Sequence, residues 1–119
     1  MAALAVPLAL LALASGGSTP PDILLATATV DRRARTVQVR AVVSTSAENA
    51  LDRAHRTTLR YRCGAAAAWQ VAVRSPRGPA ASTVRWRYPE RLAGRRCTLA
   101  LRVDGPDGSA TETIGAVRL

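Results

Sequence analysis

The chain has 119 residues, 48% of them hydrophobic and 21% charged, with a formal net charge of +9. One globular domain accounts for that length, and the composition excludes a multidomain enzyme, a coiled coil, a collagen-like fibre and a polytopic membrane protein. So small a core also leaves little room to enclose an active-site cavity.

All 17 basic residues are arginine, Phe and Lys are absent, and Asn occurs once, at Asn49. Arg, Ala, Gly and Pro have GC-rich codons, so the skew points first to a GC-rich, bacterial coding sequence. A surface this basic also attracts anionic partners.

Residues 2–14 (AALAVPLALLALA) carry no charge. The run is shorter than the roughly 20 apolar residues of a membrane-spanning helix and fits the apolar region of a secretory signal peptide. Ala12-Leu13-Ala14 supplies an A-x-A-type cleavage site, so the leader is expected to end at residue 14, or at 16 on the following Gly16. No arginine precedes the run, and Gly17 stands where a lipoprotein needs cysteine. The reading is export to the outside of the cell or its surface, with no membrane span in the mature chain. Residues 15–21 (SGGSTPP) form a flexible linker, and residues 22–119 the folded domain.

Period-2 alternation then takes over. It predicts strands at 23–30, 36–45, 57–63, 69–73, 82–88, 96–103 and 110–119. Turns fall at Asp31-Arg32-Arg33-Ala34, at Ser75-Pro76-Arg77-Gly78-Pro79 and at Asp104-Gly105-Pro106-Asp107-Gly108. Val37, Val39, Ala41 and Val43 share one face of the second strand; Leu59, Tyr61 and Cys63 share one face of the third. The same rule turns Trp69, Val71 and Val73 inward, as it does Val84, Trp86 and Tyr88, and Cys97, Leu99, Leu101 and Val103. One stretch, 46–55 (SAENALDRAH), reads instead as a short helix capped by Ser46.

Seven short strands in a chain of this size predict an all-β fold, a seven-stranded antiparallel β-sandwich of immunoglobulin-like type. The last part of the chain carries the most concrete resemblance. Leu92-Ala93-Gly94-Arg95-Arg96-Cys97-Thr98-Leu99-Ala100-Leu101-Arg102-Val103-Asp104, the Gly105-Pro106-Asp107-Gly108 turn and residues 110–119 resemble the closing hairpin of fibronectin type III and polycystic-kidney-disease-type repeats. Cys97 stands about where those families place an aromatic, and the early Trp of fibronectin type III is missing. Tyr61-Arg62-Cys63 resembles the Tyr-x-Cys of antibody-type domains, without the upstream cysteine that those domains use. The resemblance implies an architecture and carries no function.

In an immunoglobulin-like sandwich the third and sixth strands are antiparallel neighbours, which implies a Cys63–Cys97 disulfide within one sheet. That pairing sets Tyr61 opposite Leu99 and Leu59 opposite Leu101, so both apolar sets face one core, and a slip of one residue would turn one set outward. Two cysteines in a small exported domain agree with it.

Candidate chemistry is sparse. His55 is the only histidine. On a helix, Glu48, Asp52 and His55 would share a face and could hold a divalent metal, but Asp52 also precedes Arg56 by four residues, the pattern of a solvated helix. No G-x-S-x-G anchors a nucleophile, and no cofactor motif is present. The expectation is a non-catalytic module without metal or cofactor. With the third and sixth strands adjacent, Arg60, Arg62, Arg96 and Arg102 share an outer face, a candidate patch for an anionic ligand; Arg40, Arg85 and Arg87 lie outside the other sheet. The charge therefore covers both faces, and with aromatics few and mostly turned inward the reading favoured is scattered, solvated arginine over a dedicated binding stripe. The sequence identifies no partner; the candidates are an anionic cell-wall polymer, nucleic acid or a protein. Tyr61 and Trp69, placed inward together, read as core rather than as a platform for sugars.

Overall fold

The alternating segments become seven strands: β1 (Asp22–Asp31), β2 (Thr36–Ser44), β3 (Arg56–Arg62), β4 (Gln70–Arg74), β5 (Thr83–Arg87), β6 (Arg96–Gly105) and β7 (Gly108–Arg118). The structure, a computed structural model, describes residues 20–45 and 54–119. Each strand lies within one or two residues of its sequence-based expectation. Strands β1-β2-β5 form one sheet and β4-β3-β6-β7 the other, and every neighbouring pair is antiparallel. Among the described residues the only helical element is a single 3-10 turn, Glu90–Leu92.

Turn chemistry sets the hairpins. Asp31 caps its own turn by accepting a hydrogen bond from the Ala34 amide at 3.1 Å, and Arg35 takes a positive φ of 53° before β2 begins. The β6–β7 hairpin closes on the Gly105–Gly108 pair around Pro106-Asp107, with Gly108 at a φ of 138° that favours glycine.

The core lies between the sheets. Val37, Val39, Val84 and Trp86 enter it from the three-stranded sheet, and Leu59, Tyr61, Leu99, Leu101 and Val103 from the four-stranded sheet. The Tyr61 and Trp86 rings stack across the interior with centroids 4.8 Å apart, and Tyr88 meets Trp86 edge-on at 5.9 Å. Leu59 faces Leu101 and Tyr61 faces Leu99, the expected register. Two residues further along, Cys63 and Cys97 are joined by a disulfide, their Cα atoms 4.0 Å apart.

Alternation fails in β4. Leu59 pairs with Val73 while Arg60 pairs with Val71, so Ala72 is an extra residue, a β-bulge. Beyond the bulge the side-chain parity reverses. Val73 packs against the core as expected, but Val71 is 49% exposed and Trp69 emerges on the outer face beneath Arg60 and Arg62. The inward placement of Trp69 and Val71 is thereby corrected. A second bulge at Leu24 separates the pairs Ile23–Val43 and Leu25–Val42, leaving Leu24, Leu25 and Val42 exposed.

The helix expected over 46–55 falls largely outside the described residues. Its last residue is not helical: His55 forms an antiparallel bridge with Gly78, each amide donating to the other's carbonyl at 3.0 and 2.9 Å. The expected leader, with most of the linker, also lies outside the described residues.

Candidate functional site

Three strands and one loop bring arginines together on the outer face of the four-stranded sheet. Because Leu59 and Tyr61 point into the core, Arg56, Thr58, Arg60 and Arg62 point out of it. Thr58 pairs with Arg74 of β4 on one side and Arg102 of β6 on the other. Arg56 and Arg60 stand two residues before and after it on its own strand, about 7 Å away along the chain, while the cross-strand neighbours are about 5 Å away. Thr58 is thus the centre of a cross of four arginines, whose stems leave it only 5% exposed.

An open hollow of about 450 Å³ lies over this cross, lined by Arg56, Thr58, Arg60, Arg74, Arg77 and Arg102 with Val71 and Asp104 at its edge. Arg77 comes from the loop after β4. Among the described residues the only carboxylate lining it is that of Asp104, which accepts from Arg102 Nε at 2.8 Å. Five guanidinium groups there face one paired carboxylate.

Several of these arginines are anchored. Arg102 Nη2 donates to Ser109 Oγ at 3.2 Å, and Arg77 Nη1 donates to the Ala54 carbonyl at 3.2 Å. The Arg60 and Arg62 guanidiniums lie 5.6 and 4.7 Å from the Trp69 ring centroid, a cation–π arrangement. Arg56 Nε is buried with no hydrogen-bond partner. A buried donor left unpaired is destabilising until an acceptor reaches it.

Of the four residues expected to form the patch, Arg60 and Arg102 line the hollow, and Arg62 adjoins it through Trp69. Arg96 does not belong there: it sits at the other end of β6, opposite Arg118. Sequence reasoning missed Arg56, Arg74 and Arg77. Arg74 continues the outward parity of its strand and lay one residue past the expected strand end. Arg77 sits in a Ser-Pro-rich turn, where alternation says nothing about direction.

The remaining candidates stay apart from this cluster. Arg40, Arg85 and Arg87 are exposed on the outer face of the three-stranded sheet, as expected. A smaller hollow beside the disulfide is lined by Tyr61, Arg62, Arg91 and Arg95, and Arg95 donates to the Cys63 carbonyl at 3.1 Å. His55 is fully buried, with neither ring nitrogen hydrogen-bonded, while Glu48 and Asp52 lie outside the described residues. Among the described residues no three His, Cys, Asp or Glu side chains converge as metal ligands, and no helix is long and apolar enough to cross a membrane. In comparison with known proteins, no family model matches the chain and no curated protein matches its sequence.

Proposed function

We propose that the chain is an exported, non-catalytic β-sandwich module of immunoglobulin-like or fibronectin type III-like type, acting outside the cell or at its surface by binding or as a structural element. The strand order β1-β2-β5 and β4-β3-β6-β7 supports that architecture, and the disulfide supports an oxidising location. The apolar leader in the sequence supports export. The observation that carries the binding role is the cluster of guanidinium groups around Thr58, whose one carboxylate neighbour among the described residues is already paired. Expression of the full chain in a bacterial host tests export: the protein should be recovered outside the cytoplasm, shortened by the leader and oxidised. Recovery of uncleaved, reduced protein in the cytoplasm would reject it.

The same cluster favours a more specific reading, in which the arginines bind an anionic polymer without sequence preference. The guanidiniums of Arg60 and Arg62 both lie within cation–π distance of the Trp69 ring, which holds positive charge beside the hollow. Recognition then rests on charge, and retention on a polyanion column should fall steeply as salt rises, because association releases counterions. Absence of retention at low salt would exclude this reading.

A further inference from the structure

We infer that Thr58 and the arginines around it form one localised site for a phosphoryl group, a phosphomonoester or diphosphate, in place of a diffuse basic surface. The inference rests on the anionic-polymer reading and gives that ligand a chemical identity and an address.

Geometry argues for one site. Arg56, Arg60, Arg74 and Arg102 stand at the four positions adjoining Thr58 in the sheet lattice, and Arg77 overhangs the same hollow. Like charges at neighbouring sheet positions repel, and among the described residues lining the hollow the single carboxylate is committed to Arg102. An anion of two or more charges placed over Thr58 would relieve that repulsion.

The donors suit phosphorus chemistry. Guanidinium forks match both carboxylates and phosphates, but a carboxylate has two oxygens in one plane, whereas a phosphoryl group presents three in a tetrahedral array. Donors arriving from four sides and from the Thr58 hydroxyl below can all be used only by the latter. Anchoring also leaves donors free: Arg102 commits Nε and Nη2 but keeps Nη1, and Arg77 commits Nη1 but keeps Nε and Nη2. Side chains held before the ligand arrives lose less freedom when it binds. Trp69, by holding Arg60, is a positioning residue for the site. The hollow, about 450 Å³ and open to solvent, has room for a phosphoryl group.

Titration calorimetry on the oxidised full chain tests this with sodium pyrophosphate, inorganic phosphate, long-chain polyphosphate and citrate, all at one ionic strength. Saturable binding of pyrophosphate at one site per chain is expected, about tenfold or more tighter than citrate. Arg74→Gln, at an exposed residue outside the core, should weaken pyrophosphate about tenfold, and Arg40→Gln, the same charge change on the opposite sheet, less than about twofold. Tighter binding of polyphosphate than of pyrophosphate would make the source a polymer, and the reverse order a free diphosphate; either order supports the site. Equal weakening by the two variants, or citrate equal to pyrophosphate, overturns the localised site while polyanion retention still stands. Loss of all retention removes the broader reading as well.

Discussion

Tyr61 stacks on Trp86 at 4.8 Å, and this contact joins an inner strand of one sheet to an edge strand of the other. Both rings are buried, and Trp86 also carries Tyr88 against its edge. Truncating it removes the contact and leaves a cavity between the sheets.

Trp86→Ala should therefore destabilise the fold by about 3–5 kcal/mol in urea unfolding. Tyr61→Phe keeps the stack and removes only the hydrogen bond from its hydroxyl to Gln70 Oε1, so a loss near 1 kcal/mol is expected.

Trp69→Ala provides the contrast. Its ring lies outside the core, so the stability change should stay within about 1 kcal/mol. In a Trp86→Phe background the remaining indole should be quenched by iodide more readily than by an uncharged quencher, because Arg60 and Arg62 attract the anion. A shielded indole, or a core-sized loss of stability, would show that the parity reversal at Ala72 is absent.

Gly105 lies against His55: a Cβ at this position would fall 2.8 Å from both Cδ2 and Nε2 of the imidazole. The ring is fully buried. Gly105→Ala should destabilise by about 1–3 kcal/mol, as overpacking does. In the His55→Ala background the added methyl group has room, so the double variant should be more stable than the sum of the two single changes predicts.

The disulfide closes a loop between residues 34 apart in sequence. Reduction, or Cys63→Ala with Cys97→Ala, should lower stability by about 3–4 kcal/mol in the chain-entropy model. Denaturant midpoints with and without reductant measure it. An unchanged midpoint would mean that the loop is already constrained in the unfolded chain.

The legible parts of this fold are those in which one face of a strand is buried on both sides of every position. Val37 and Val39, or Leu99 and Leu101, cannot exchange faces without burying polar neighbours, so alternation alone orients them, and the Cys63–Cys97 pairing follows from the same register. The bulge at Ala72 was not legible. A run of small and β-branched residues, Val71-Ala72-Val73, suits either face, and the extra residue is specified by the pairing of Leu59 and Arg60, which the sequence of β4 does not contain. His55 misled for a related reason: the residues before it have helical composition, while its own conformation is set by the bridge to Gly78. The candidate site was half legible. Arg60 and Arg102 follow from the adjacency of β3 and β6, whereas Arg74 and Arg77 required the path of the chain around β4.

The covalent clip has a mechanical consequence. Pulled from its two ends, the chain can peel β1 from β2 and β7 from β6, but β4 and β5 lie inside the loop that Cys63 and Cys97 close. That loop withholds roughly 110–120 Å of contour length from extension, and the tension passes directly from β3 to β6 through sulfur. In a force spectrometer the oxidised domain should stretch less than the reduced one by about that length. The enclosed segment, with Trp69, Arg74, Arg77 and Trp86, would remain tethered beside the β3 and β6 arginines after both terminal strands had been stripped away.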